Sequence, residues 1–165
     1  MHHSTDMQWL MRKCAQASSF TELVPLAIAE LYKFADGAEV VCGPISTGGR
    51  GLETNFQIFS NTIKVLQQEG KPIFSQIPYE ERIFFFRQRW QESDPSRAGQ
   101  YYMPILEEFY HPIIQTGLIR KGWFIPGWES SFGARWEREQ LIGMQAEICD
   151  LSEEWVDSIP QNLPD

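Results

Sequence analysis

Twice along this chain a short apolar run breaks into a glycine-bearing loop and then into helical spacing. Ala38 to Cys42 leads into Gly43-Pro44-Ile45-Ser46-Thr47-Gly48-Gly49-Arg50-Gly51, and Trp123-Phe124-Ile125 leads into Pro126-Gly127. Strands separated by helices argue for a parallel sheet, because parallel neighbours need a long crossover and a helix supplies it. The remaining apolar pattern agrees. Phe56, Phe59, Ile63 and Leu66 recur three and four apart and stop at Gly70. Pro72-Ile73-Phe74 reads as a second strand, Phe132 to Leu141 as a helix and Ala146 to Cys149 as a fourth strand. The expected architecture is an α/β domain over residues 37–165, with a parallel sheet of four or five strands covered by helices on both faces. In such a sheet ligands bind beyond the carboxyl ends of the strands, where both loops lie.

Ahead of this domain, residues 1–36 are expected to form an N-terminal helical arm. Trp9, Leu10, Cys14 and Ala17 recur at helical spacing, Leu23, Leu26, Ala27, Glu30 and Leu31 continue after Ser18-Ser19, and Asp36-Gly37 ends the pattern. Between the second and third strands, Pro78 with Glu80-Glu81 marks a helix start, since proline suits the first turn and acids suit the positive end of the dipole. Ile83, Phe86 and Trp90 would be its buried stripe. Residues 92–99 read as a polar loop, after which Met103, Leu106, Phe109 or Tyr110, and Ile113 resume a helical period up to Gly117. Pro112 is expected to kink or split that helix. Residues 158–165 carry two prolines and read as irregular.

A formal charge of -8 over 165 residues leaves no basic field for duplex DNA or long RNA, so no nucleic-acid polymer is expected as a partner. A single phosphate needs only local N–H groups and one arginine. Cys14, Cys42 and Cys149 are odd in number and far apart, without a CxxC zinc pattern or a disulfide framework, which fits a reducing cytoplasm. No run reaches the roughly 18 apolar residues of a membrane span, and the first residues lack the basic and apolar regions of a signal peptide. The expectation is a cytoplasmic protein with no membrane partner. His2 and His3 are given no role, and no metal or cofactor is expected.

Chemistry concentrates in Pro126-Gly127-Trp128-Glu129-Ser130-Ser131-Phe132-Gly133-Ala134-Arg135-Trp136-Glu137. Ser130 and Ser131 stand where a helix N-cap is wanted, and Glu137 follows about one turn in. Gly133 and Glu137, four apart, share a face, so a ligand can approach past the missing side chain of Gly133 and meet the Glu137 carboxylate. Free N–H groups at the helix start would favour an anion. The alternative is a capped amphipathic helix in which Glu137 is a surface acid paired with Arg135 or Lys121.

The pattern Pro-Gly-Trp-Glu-x-Ser-x-Gly-Ala-x-x-Glu resembles the signature of the nucleoside 2-deoxyribosyltransferase-like family, which includes 2′-deoxynucleoside 5′-phosphate N-hydrolases. Cys42-Gly43-Pro44-Ile45-Ser46, with Gly48-Gly49-Arg50, Asn55 and Phe56, resembles the family's first loop, which encloses base and sugar. The likeness covers residues 38–75 and 118–149; the arm and residues 76–117 match no motif. It implies a flavodoxin-like three-layer sandwich, Glu137 as nucleophile, and substrate contacts from Gly43, Pro44, Ile45, Ser46, Gly49, Arg50, Asn55, Trp128, Ser130, Ser131 and Gly133. The implied partner is a nucleotide or nucleoside, with no cofactor or metal and a homodimer or larger homo-oligomer, its interface drawn from the aromatic-rich middle segment.

Attack by a carboxylate on C1′ gives a glycosyl-enzyme ester, which water resolves in a hydrolase and a second base resolves in a transferase. A third reading is a nucleotide-binding sensor without turnover. Ser131 stands where the nucleoside transferases resemble one another in having an Asp, so it favours a 5′-monophosphate, which a carboxylate would repel. Arg50 is the cation expected to hold that phosphate. The family's Asp before the nucleophile-bearing strand has no counterpart in Gly117-Leu118-Ile119-Arg120-Lys121-Gly122, which leaves Glu80, Asp94 or Glu108 as candidate substitutes. Tyr101-Tyr102 and Tyr110-His111 read either as a stacking platform or proton donor, or as core.

Overall fold

The computed structural model describes residues 2–163, with the side chains of residues 6–163. The side chains of His2 and His3 lie outside the described ones. Helices α1 (His2–Gln16) and α2 (Phe20–Leu31) precede β1 (Ala38–Cys42), α3 (Leu52–Gln68) and α4 (Ile77–Glu92). A π-helical segment (Ile105–Tyr110) runs into α5 (His111–Gln115) and is followed by β2 (Ile119–Phe124), α6 (Phe132–Gly143), β3 (Glu147–Asp150) and α7 (Glu153–Asp157).

β1, β2 and β3 form a three-stranded parallel sheet in that order. β1 is buried at every position, as a near-continuous apolar strand covered on both faces should be. Its two faces feed separate apolar layers. Val40 and Cys42 pack with α1, α2, α4 and Leu141 of α6, while Val41 packs with Phe59, Ile63 and Leu66 of α3. Glu39 interrupts the run but is compensated: the Trp123 indole N–H donates to its carboxylate at 2.7 Å, and the Arg120 guanidinium lies 3.6 Å away.

The expected second strand is reduced to one rung. Ile73 bridges Glu39, with the Glu39 N–H donating to Pro72 and the Phe74 N–H donating to Glu39. The ladder cannot lengthen because the chain turns into α4: Gln76 already has helical dihedrals, and its side-chain amide, in place of a backbone N–H, donates to the Val41 carbonyl at 2.9 Å. The sheet therefore has three strands among the described residues where four or five were expected.

β2 starts four residues ahead of the expected run at Trp123. Arg120, Lys121 and Gly122 are weak strand formers by themselves. Side-chain partners hold them in the sheet: Lys121 lies 3.1 Å from Glu147 on the neighbouring β3 and 4.1 Å from the ring centre of Trp123, two residues on along its own strand. Gly122 lets α6 approach, since a methyl group there would lie 2.7 Å from Leu141. Pro112 does not split its helix. The preceding segment is wound as a π-helix, with the His111 N–H reaching back to Leu106, and this wider register runs directly into α5 at the proline.

The arm is part of the main core. Leu23, Ala27 and Leu31 are fully buried, α1 lies on α4 and α2 lies on the segment 105–115. Phe20 meets Phe86 edge-on at 5.2 Å, and the Arg82 side chain donates to the Ala17 carbonyl at 2.5 Å. Of the expected α1 stripe, Leu10, Cys14 and Ala17 are buried but Trp9 is 47% exposed. No described helix is long and apolar enough to cross a membrane.

Candidate functional site

A cavity of about 1040 Å³ opens beyond the carboxyl end of β1. The loop after β1 contributes Gly43, Ile45, Ser46 and Thr47, and the start of α6 contributes Ser131, Phe132, Gly133 and Ala134 with Glu137 one turn on. The opposite wall is one face of α4, with Glu80, Ile83, Phe84, Arg87 and Gln91, and the segment Gly99–Tyr102 and Tyr110 close it. The lining is mostly apolar with a few converging polar groups, the make-up of a small-molecule site.

Glu137 sits on α6, whose start is set locally. Ser131 has extended backbone and its hydroxyl accepts from the Ala134 N–H at 3.3 Å, so the helix is capped and begins at Phe132. The second helical residue, Gly133, four before Glu137, has no side chain, and the Tyr101 hydroxyl fills the gap: a methyl group on Gly133 would lie 2.6 Å from it. Glu137 has neither of the partners that a surface acid would find. Arg135 donates to the Glu129 carbonyl and Lys121 pairs with Glu147.

The electrostatics follow from burial. Desolvation pushes the Glu137 carboxyl up to about 7; a hydrogen bond from the Cys42 thiol opposes the shift and the Glu80 charge adds to it. Desolvation alone pushes Glu80 up to about 7. Two carboxyl groups with raised pKa thus face one cavity and feel each other, so near neutral pH the pair readily holds one proton. Burial also raises Tyr101 and Tyr110, with Glu137 and Glu80 contributing, which keeps both phenols protonated and able to donate.

The residues that the sequence singled out separate into three groups. Gly43, Ile45, Ser46, Ser131, Gly133 and Glu137 line the large cavity. Pro44, Gly49, Arg50, Asn55 and Ser130 line a smaller cleft of about 330 Å³ behind the loop, together with Glu153 and Asp157 of α7. There Asn55 shapes the loop: its side chain accepts from the Arg50 N–H and donates to the carbonyls of Gly48 and Ile45. The Ser130 hydroxyl accepts from the Gly49 N–H, tying the two glycine-bearing loops together. Arg50 points to Asp157, 3.8 Å away, and does not line the large cavity. Trp128 lines neither space. It packs edge-on against Phe124 and under the Arg138 guanidinium, which Asp150 holds in a fork.

Among the candidates for the absent Asp, Glu80 reaches the cavity, while Asp94 caps the turn at Pro95–Arg97. Glu108 is exposed and outside the cavity. Arg87, Tyr101 and Tyr110 also reach it, and His111 does not. The signal for α4 was its second period: residues 80, 84, 87 and 91 recur on a face beside the apolar stripe at 83, 86 and 90. Among the described residues no group of three or more His, Cys, Asp or Glu side chains is arranged to hold a metal. No family model, curated protein or solved structure matches the chain.

Proposed function

We propose that this protein is an N-glycosidase that cleaves the base–sugar bond of a nucleoside 5′-monophosphate, with Glu137 as nucleophile and Glu80 as the acid. The observation that carries the reading is the meeting of two desolvated carboxyl groups in one largely apolar cavity, one of them on α6 one turn past its capped start. Hydrolysis of a glycosidic bond by a double-displacement route needs such a pair, one ionised to attack and one protonated to release the leaving group. The likeness of Pro126–Glu137 and of the loop 43–51 to the deoxyribosyltransferase-like family supports the same assignment. Counting the Ile73 rung, the order across the sheet is Ile73, β1, β2, β3, which supports a flavodoxin-like fold with its site at the carboxyl edge.

In this mechanism the Glu137 carboxylate attacks C1′ as the C1′–N bond breaks, and the departing base takes the Glu80 proton. Glu80, now ionised, removes a proton from water, which attacks C1′ of the ester and frees the sugar 5-phosphate and the Glu137 carboxylate. A second base in place of water would make the protein a base-exchanging transferase. No cofactor or metal takes part. Gly43, Ile45 and Ser46 contact the substrate; Asn55, Ser130 and Gly49 hold the loop that carries them. Leu52, Phe56, Phe84 and Phe132 leave an exposed apolar rim around the mouth, suited to burial against a second copy of the chain.

The test is Glu137→Gln, which keeps shape and hydrogen-bonding reach but removes the attacking charge. Base release from nucleoside and deoxynucleoside 5′-monophosphates, followed by chromatography, should fall by orders of magnitude while binding survives. Full activity in Glu137→Gln would refute the mechanism. A wild type that binds nucleotides and releases no base would leave the nucleotide-binding sensor as the function.

A further inference from the structure

Resting on the nucleotide reading, we infer that Arg87 of α4 holds the substrate's 5′-phosphate and so discriminates nucleotides from nucleosides. Arg87 is the only Lys or Arg among the described residues that line the large cavity, where it shares the wall with Glu53, Glu80, Glu81 and Glu137. Its guanidinium makes no hydrogen bond or ion pair with another described residue. Arg50, the alternative cation, is on the other side of the loop and faces Asp157. An arginine without an acidic partner, lining a largely apolar cavity, is suited to receive an anion. Its planar fork matches a phosphate better than a lysine would.

Helix geometry sets its position relative to the chemistry. Glu80 and Arg87 are seven residues apart on α4, so they share a face and are separated by about 10 Å along the axis. A sugar bridges that span, with C1′ at the carboxyl pair and the phosphate at the guanidinium. Tyr101 links the two ends: its hydroxyl covers Gly133 and lies within the electrostatic influence of Glu137, Arg87 and Glu80 together. The high carboxyl pKa values reduce the negative charge that a phosphate meets on entry at neutral pH.

Calorimetry on the full chain tests this with three probes: nucleoside 5′-monophosphates, the matching nucleosides and inorganic phosphate. Arg87→Gln should weaken monophosphate binding at least about tenfold, the scale of a lost charge-assisted pair, abolish phosphate binding and leave nucleosides unchanged. Arg87→Lys should retain part of the affinity. Arg89→Gln, the same charge change on the same helix but outside the cavity, should alter none of them. Thermal unfolding of each variant confirms that it folds. Equal losses for nucleotide and nucleoside in Arg87→Gln, the expected loss appearing in Arg50→Gln instead, or a wild type that binds neither phosphate nor monophosphate would overturn the assignment. Base release is followed in parallel. Arg87-dependent phosphate binding without base release would sink the glycosidase and keep the anion site; base release indifferent to Arg87 would do the reverse.

Discussion

Glu80 and Glu137 are both weak acids displaced to about 7 by the same desolvation, so their chemistry depends on how they share protons. Below neutral pH both tend to be protonated and the nucleophile is lost; above it both ionise and the acid is lost. The rate of base release should therefore be bell-shaped with its top near neutral pH, the two limbs belonging to the pair and not to either residue. Replacing Glu80 by Gln should cut the rate by about a hundredfold or more and remove this two-limbed profile, because one titrating group then remains. Rates measured from acid to mildly alkaline pH decide it. A bell of unchanged shape in Glu80→Gln would show that another group supplies the proton, with Tyr101 and Tyr110 nearest the cavity.

At the scale of elements, the loop after β1 illustrates how a binding-motif residue can act through the backbone. Gly49 has a positive φ of 63° and a side chain there would collide with the Asn55 amide, so the loop turns only because the glycine is bare and the asparagine fills the space. Asn55 is 5% exposed and satisfies three backbone groups of the loop. Asn55→Ala should cost about 1–3 kcal/mol in denaturant unfolding, because it leaves two carbonyls and an N–H short of partners. The same change should reduce substrate affinity only through loop disorder. The helix bearing Glu137 was legible in sequence, since its cap and spacing are contiguous. The first half of β2 was not: Lys121 has strand geometry only because Glu39 of β1 and Glu147 of β3 pair with it on either side, and Arg120 falls where the register with β1 shifts.

On the scale of the molecule, the arm and the sheet share one core, with Leu23, Ala27 and Leu31 packed in the same cluster as Val40 and Phe124. The cavity wall depends on this arrangement, for α1 lies on α4 and Met11 reaches the cavity itself. A chain lacking residues 1–36 should fail to give the cooperative thermal transition of the full chain, since its removal would strip the cover from α4 and α5. Calorimetric scanning of both chains checks this; a truncated chain with an undiminished sharp transition would mean that the arm is only an appendage. The sequence by itself determined the parallel α/β order, the capped helix at Ser131 and the spacing of Gly133 to Glu137, because helix and strand periods and caps are written in neighbouring residues. Only the tertiary structure decided that α4, from the segment without any motif, turns Glu80 and Arg87 toward Glu137, that Arg50 and Asn55 lie behind their loop, and that the second strand shrinks to one rung. These are facts about which helix face meets which strand end, and they depend on packing between residues far apart in the chain, which no local pattern encodes.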